Sequence, residues 1–189
     1  MNQNSFSAHH YILEINREFI ESSGKVKALP IHYDIPEDQL YDLLDQIDGV
    51  HLTGGSVVLY NFTSQEWHPY YITAKRIFNY ATTKRQFLLT GICQGFEILS
   101  IAASGDKLDT MGFHTYDNVL RRVTWVQNST SQIKRESRMF SSFDPDLLEA
   151  MRDTEITFHY HTFGIGMDMY PRLEHFFKVI STDRTPDNK

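Results

Sequence analysis

The chain has 189 residues, which is enough for one hydrophobic core and one domain. Hydrophobic residues make up 41% of it, as in folded globular proteins and unlike disordered ones. A formal net charge of -6 argues against general nucleic-acid binding, and no apolar run is long enough to span a bilayer. A single cysteine excludes an intramolecular disulfide and leaves the redox compartment open.

The first half of the chain predicts alternating helices and strands after a polar, loose start over residues 1–10, which carries no signal-peptide pattern. The predicted elements are a helix over 11–23, a strand over 26–31, a helix over 37–47, a strand over 49–52, a helix over 70–80 and a strand over 87–89. Three repeats of this kind predict an α/β fold with a doubly wound, mostly parallel sheet. Ligands of such sheets bind beyond the carboxyl ends of the strands.

The junction after the strand at 87–89 carries the clearest chemical signal. It reads Gly91-Ile92-Cys93-Gln94-Gly95 and leads into a helix that Gly105 is placed to end. A glycine two residues on either side of Cys93 lets the chain turn sharply. This is the pattern of the G-x-S-x-G nucleophile elbow, with cysteine in the serine position.

The predicted turn also makes Cys93 chemically suitable as a nucleophile. It places the sulfur at a helix N-terminus, where free N–H groups and the helix dipole favour the thiolate. The backbone N–H of Gln94 would point to the same place and could stabilise an oxyanion. The alternative is a buried, inert cysteine, which is what a lone cysteine usually is. The flanking glycines and the change from strand to helix favour the nucleophile.

A second candidate loop follows the strand at 49–52. It reads Thr53-Gly54-Gly55-Ser56, and paired glycines let backbone N–H groups approach a ligand closely. An ordinary turn is the alternative. Because this loop and Cys93 both follow predicted parallel strands, we expect them at the same edge of the sheet.

The second half of the chain predicts fewer helices. Residues 106–135 have strand-like pieces, notably 119–126, and no convincing helix. A helix follows over 144–152, capped by Asp144 with Pro145 at its first position, then a strand over 156–160 that leads to His161, and an apolar element over 174–181. The tail over 184–189 is polar and predicted to be loose.

Six cations lie in or just beyond residues 106–135, against four acidic residues. The cations are Lys107, Arg121, Arg122, Lys134, Arg135 and Arg138, and the acidic residues are Asp106, Asp109, Asp117 and Glu136. The simplest explanation of these cations is an ordinary protein surface of mixed charge. A basic rim on an acidic protein is also what the capture of a polyanionic substrate would require.

The segment Gly91–Glu97 resembles the nucleophile elbow of the class I glutamine amidotransferase-like superfamily. Its Phe96-Glu97 ending resembles the gamma-glutamyl hydrolases, which trim poly-gamma-glutamate from folates. The glycine pair of the second loop resembles the one that supplies an oxyanion amide in that family, with Thr53 where the family usually has proline.

Two later segments extend the resemblance. Ser137–Phe140 resembles a run at this point of the gamma-glutamyl hydrolases, and His161–Ile165 resembles their "Asn-His-x-aromatic-Gly-Ile" segment, with Tyr160 in place of Asn. The polar pair Thr182-Asp183 resembles one near the substrate pocket of the family. The similarity covers residues 11–183 and implies a single domain, with loose ends at 1–10 and 184–189.

The resemblance implies hydrolysis of gamma-glutamyl bonds, in folylpoly-gamma-glutamates, through a thioester on Cys93. It implies oxyanion amides from Gly55 and Gln94, with Glu97 beside the nucleophile. The implied substrate contacts are Gly54, Ser56, Arg138 and His161. The resemblance implies no metal and no organic cofactor. It implies a small-molecule substrate as the partner, and neither nucleic acid nor a membrane. A homodimer is compatible with the resemblance. Family members are lysosomal, vacuolar or extracellular.

The chain also departs from the family. The base that partners the cysteine comes from a late "His-Pro-Glu" segment, and nothing after Ser181 resembles it. His68-Pro69 precedes Cys93 and does not replace it, and the first family strand is not recognisable. We therefore expect a fragment or a degenerate relative with poor turnover. The alternatives are a non-catalytic binding protein that keeps the pocket, and another cysteine-dependent amidase of this fold.

Overall fold

The computed structural model describes residues 12–184, which form two compact units divided after Ala102. The loose ends predicted over 1–10 and 184–189 lie outside the described residues, apart from Arg184, as does the predicted start of the first helix at Tyr11. Each unit is described separately below.

The first unit contains a two-stranded parallel sheet, a short antiparallel hairpin and four helices. Its elements are α1 (Glu14–Gly24), α2 (Glu37–Leu44), β1 (Gly49–Leu52), β2 (Tyr60–Asn61), β3 (Glu66–Trp67), α3 (Pro69–Thr83), β4 (Leu88–Gly91) and α4 (Gln94–Ala103). Strands β1 and β4 pair in parallel, and β2 pairs with β3 antiparallel. The mixed α/β character predicted from the sequence is therefore confirmed.

The core of the first unit forms where α2 and α3 pack on the parallel sheet. Leu40 and Leu44, one turn apart on α2, are 0% and 1% exposed and contact Ile77 of α3. Val50 and Leu89, from the two paired strands, pack against the same cluster. Burying each such side chain stabilises the fold by about 1.5–3 kcal/mol. Because the leucines are spaced to lie on one face of α2, that face packs on the sheet.

The register of the parallel pair places two loops side by side. Leu52, the last residue of β1, pairs with Gly91, the last residue of β4. The N–H of Ile92 then donates to the carbonyl of Leu52 at 3.1 Å. The chain therefore leaves both strands at the same level of the sheet.

One prediction for this unit is wrong. Residues 26–31 form no strand, so the parallel sheet of the described residues has two strands, β1 and β4. Helix α1 ends at Gly24, and Lys25 after it takes the left-handed conformation with φ 51°. No strand lies beside residues 26–31 in the described part of the chain. Without a neighbouring strand, an extended backbone forms no inter-strand hydrogen bonds.

The second unit is built from antiparallel strand pairs and two helices. Its elements are a 3-10 turn (Leu108–Thr110), β5 (Gly112–Arg121), β6 (Thr124–Trp125), α5 (Thr130–Glu136), α6 (Pro145–Asp153), β7 (Thr157–Gly164), a 3-10 turn (Tyr170–Arg172) and β8 (Ser181–Thr182). Strand β5 pairs with β7 through two irregularities in register, and β6 pairs with β8. Ile133, Phe140 and Leu148 form the buried cluster of this unit.

The helix predicted over 144–152 is confirmed as α6, and its cap is the predicted one, since the Asp144 carboxylate accepts from the N–H of Asp146 at 2.9 Å. The prediction of no helix over 106–135 is wrong, because α5 begins there. Its signal is Ser129, the N-cap, whose hydroxyl accepts from the N–H of Gln132. The apolar element predicted over 174–181 is also wrong, since only Ser181 and Thr182 are in a strand.

Candidate functional site

Ile92 and Cys93 are the two residues between the end of β4 and the start of α4. Cys93 directly precedes the helix. Its φ is 54°, a left-handed value that is uncommon for a residue with a Cβ atom and that occurs often at functional sites. The N–H of Gly95 donates to the carbonyl of Ile92 at 3.0 Å and closes the turn around it. The thiol is exposed, so Cys93 is not the buried cysteine of the alternative interpretation.

Close backbone contacts explain the two glycines that flank Cys93. A Cβ atom on Gly91 would lie 2.6 Å from the carbonyl group of Gly95, and one on Gly95 would lie 2.2 Å from the carbonyl oxygen of Leu52. Neither distance is possible for a real side chain. The glycines therefore allow α4 to begin directly against the strands, and this approach fixes the sharp turn at Cys93.

The loop over residues 53–58 lies beside the thiol. A Cβ atom built on Gly54 would be 3.2 Å from the Cβ of Cys93 and 3.6 Å from its Sγ. Gly54, Gly55 and Ser56 are exposed, so their backbone groups are accessible to a ligand. The structure thus brings together Cys93 and the glycine loop at the carboxyl end of the β1–β4 pair, the edge where parallel sheets bind ligands.

Gln94 links this loop to the start of α4 through its side chain. The side chain is buried, its Oε1 accepts from the N–H of Val57 at 3.0 Å, and its Nε2 donates to the carbonyl of Val57 at 2.6 Å. Sequence reasoning assigned a role only to the backbone N–H of Gln94 and missed this contact. No local pattern could reveal it, because the two residues are 37 positions apart.

Glu97 lies one turn further along α4, and its N–H donates to the carbonyl of Cys93 at 3.1 Å. The carboxyl group is half-buried, and this burial raises the pKa of Glu97 above its ordinary value. A carboxyl group with a raised pKa next to a nucleophile position can hold a proton at a higher pH than an exposed one.

The predicted substrate residue His161 belongs to the second unit, where it lies within β7 and not after it. Its ring is 5.3 Å from that of Tyr116, and its Nε2 is 3.3 Å from Nδ1 of His159. Its Nδ1 is buried and has no hydrogen-bond partner among the described residues. Burial lowers the pKa of His159. This ring pair can accept or donate hydrogen bonds, depending on its tautomers.

Two of the predicted basic side chains already have partners within the second unit. Arg121 forms an ion pair with Asp183 at 3.2 Å, and the ammonium group of Lys134 donates to the carbonyl of Phe143. Arg138 follows α5, and its backbone carbonyl accepts from the hydroxyl of Ser141 at 2.7 Å.

Within residues 12–184 the structure contains no group of three or more histidine, cysteine, aspartate or glutamate side chains arranged to hold a metal ion. In the same range, no helix has both the length and the apolar character needed to cross a membrane.

The sequence profile of the family Peptidase C26 matches residues 1–165, a stretch that includes Cys93, the glycine loop and His161. The chain belongs to the peptidase C26 family. This confirms the family resemblance seen in the glycine-flanked cysteine and in the segment around His161.

This peptidase C26 chain is similar to several curated proteins named gamma-glutamyl hydrolase. It is 28% identical over 179 residues to gamma-glutamyl hydrolase 1 of Arabidopsis thaliana, covering 91% of the chain and 47% of that protein. It is 28% identical over 182 residues to the gamma-glutamyl hydrolase of Mus musculus, with 93% and 53% covered. For the gamma-glutamyl hydrolase of Homo sapiens the identity is 29% over 181 residues, with 92% and 52% covered. The chain therefore spans about half the length of these relatives.

Proposed function

We propose that this peptidase C26 chain hydrolyses gamma-glutamyl bonds with Cys93 as the nucleophile. The observation that carries the proposal is the exposed thiol at a left-handed turn between β4 and α4, with the Gly54 loop beside it. The names of the relatives support the type of bond. In this proposal β1 and β4 belong to a doubly wound sheet of the class I glutamine amidotransferase-like type, and the turn at Cys93 is its nucleophile elbow.

The chemistry follows from the groups around the thiol. The Cys93 sulfur attacks the carbonyl carbon of the gamma-glutamyl amide, and the carbonyl oxygen takes up negative charge. The backbone N–H groups of Gly55 and Gln94 stabilise that oxygen. The C–N bond then breaks, the amine leaves with a proton, and a thioester remains on Cys93. Water adds to the thioester, releases the carboxylic acid and restores the thiol.

The substrate class we propose is a poly-gamma-glutamyl folate. The family resemblance supports it and assigns substrate contacts to Gly54, Ser56, Arg138 and His161. These assignments stay predictions. The position of the glycine loop supports the contacts of Gly54 and Ser56, because the exposed backbone of this loop lies next to the thiol that would attack the bond.

The test compares the 189-residue chain with its Cys93→Ser variant on folyl pentaglutamate. We expect wild type to form a covalent acyl adduct, visible by intact mass spectrometry, and to release glutamate or glutamyl peptides at the low rate expected from the sequence. Since Cys93 is the only cysteine, the variant should form no thioester, and iodoacetamide should add once to wild type and not to the variant. Ser22→Ala, a change on α1, is the control and should match wild type.

The result that would overturn the proposal is equal hydrolysis by wild type and Cys93→Ser. Substrate binding without an adduct would also overturn it and would identify a non-catalytic binding protein. An adduct with other amides but none with gamma-glutamyl compounds would instead indicate a different cysteine amidase.

A further inference from the structure

We propose that the Gln94 side chain is a positioning residue that holds the Gly54-Gly55 loop in place beside Cys93. The inference rests on the proposed function, in which the Gly55 N–H stabilises the oxyanion. It assigns to the side chain of Gln94 a role separate from that of its backbone N–H.

The contact between Gln94 and the loop is specific in both directions. Its amide accepts from the N–H of Val57 at 3.0 Å and donates to the carbonyl of the same residue at 2.6 Å, as a neighbouring strand would. The side chain is 4% exposed, so water does not replace these bonds when they are lost. A buried amide with both ends paired has one favourable orientation, and the loop must adopt the matching one.

The loop has few other means of staying in place. Gly54 and Gly55 have no side chains to bury, and Val57 and Val58 are 38% and 75% exposed. The loop is anchored at its end by the buried Leu59. Burial also fixes the other end, where Leu52 is 5% exposed and the Tyr70 hydroxyl donates to the carbonyl of Thr53 at 3.5 Å. The Gln94 amide holds Val57 between these two ends.

The position of Gly55 depends directly on Gln94. A Cβ atom built on Gly55 would lie 2.8 Å from the Oε1 of Gln94, so the two residues are in close contact only because residue 55 is glycine. Gln94 therefore touches both parts of the candidate site: its backbone follows Cys93 at the start of α4, and its side chain contacts Gly55 in the loop. Displacing a catalytic group by about 1 Å can lower a rate about a hundredfold.

The first experiment compares wild type with Gln94→Met, which keeps the length of the side chain and removes both hydrogen bonds. Amide hydrogen exchange at Val57, followed by NMR, reports on the contact without any need for activity. We expect faster exchange at Val57 in the variant. We also expect the acylation rate constant of Cys93 to fall about tenfold to a hundredfold while KM changes little, because an oxyanion is stabilised only in the transition state.

Gln46→Met is the matched control. Gln46 is exposed, and its side-chain amide donates to the carbonyl of Asp42 within the end of α2. This variant should leave both the exchange at Val57 and the acylation rate as in wild type.

The second experiment tests the steric contact by a double-mutant cycle. Gly55→Ala places a methyl group against the Oε1 of Gln94, whereas Gln94→Ala removes that oxygen. We expect Gly55→Ala to reduce acylation strongly in the Gln94 background and much less in the Gln94→Ala background. Equal effects in both backgrounds would overturn the coupling.

The outcomes separate this inference from the proposed function. Unchanged exchange at Val57 in Gln94→Met overturns the contact itself. Faster exchange with unchanged acylation overturns the positioning role and leaves the proposed function intact. A wild-type chain that protects Val57 and forms no adduct overturns the proposed function, and the positioning role fails with it.

Discussion

Glu97 is the residue at the candidate site whose charge depends most on its surroundings. Its half-buried position raises the pKa of the carboxyl group above the value of about 4.3 that holds in an unfolded chain. The folded protein therefore binds this proton more tightly than the unfolded one. The stabilisation is fully present below about pH 4 and is lost as the pH rises through the folded-state pKa.

We accordingly expect Glu97→Gln to raise the free energy of unfolding at pH 7, where the wild-type carboxylate is charged and half-buried. The gain should shrink as the pH falls below about 4, where both proteins carry a neutral group at this position. Urea unfolding at a series of pH values measures it. Glu66→Gln, an exposed change on β3, is the control. A variant less stable than wild type at pH 7 would contradict this account.

Arg138 tests the substrate class at the level of one side chain. If it contacts the polyglutamate tail, Arg138→Ala should weaken the binding of a pentaglutamyl folate several-fold more than that of a monoglutamyl folate. Added salt should reduce the difference, because exposed charges are screened. Isothermal titration calorimetry on Cys93→Ser would measure both affinities without turnover. Arg152→Ala, whose native side chain pairs with Asp153, is the control; equal weakening of both ligands would exclude this role.

At the level of residues, a local signal indicated local backbone geometry, and the roles of the site residues stay predictions. Glycines two positions on either side of Cys93 indicated the sharp turn, and the close contacts of Gly91 and Gly95 supply the reason. The side-chain contact from Gln94 to Val57 could not be predicted, because it depends on which two loops the parallel register brings together.

At the scale of elements, Gly95 lets α4 begin directly against β1. We expect Gly95→Ala to destabilise the chain by at least about 1–3 kcal/mol, the usual range for an overpacked site, because its methyl group would lie 2.2 Å from the backbone oxygen of Leu52. Denaturant unfolding would measure the change.

Gly105→Ala is the comparison for this variant. Gly105 has open space around it, so the methyl group of alanine would not clash. Its φ of +74° is unfavourable for alanine, so we expect Gly105→Ala to lower the free energy of unfolding by about 1–2 kcal/mol. A Gly95→Ala variant as stable as wild type would show that α4 can move away from β1.

Elements with local signals were predicted better than those that need a distant partner. Helix α6 was predicted from its local start signals, Asp144 as the cap and Pro145 at the first position. The strand expected over 26–31 failed because strand-forming residues gain hydrogen bonds only beside another strand. Helix α5 was missed although Ser129 caps it, since its seven residues are too few to show a clear apolar period.

For the whole molecule, alternating helices and strands correctly indicated an α/β chain, and the parallel pairing of β1 with β4 agrees with that pattern. The doubly wound sheet stays a prediction. The pairing of β5 with β7 could not be foreseen, because its two register irregularities break the alternation that marks a strand. Family membership rests on residues 1–165, and so does not depend on the residues that follow.

The register of the β1–β4 pair also bears on how the chain folds. The residues joined at the site are far apart in sequence, 37 positions for Val57 and Gln94, so the intervening loop must close before the site exists. Contacts of such separation form late, since the entropy of closure is lost before they add stability. The thiol environment is therefore assembled after the local helices. Pulsed hydrogen exchange at the Val57 amide during refolding would then time the assembly of this site separately from helix formation.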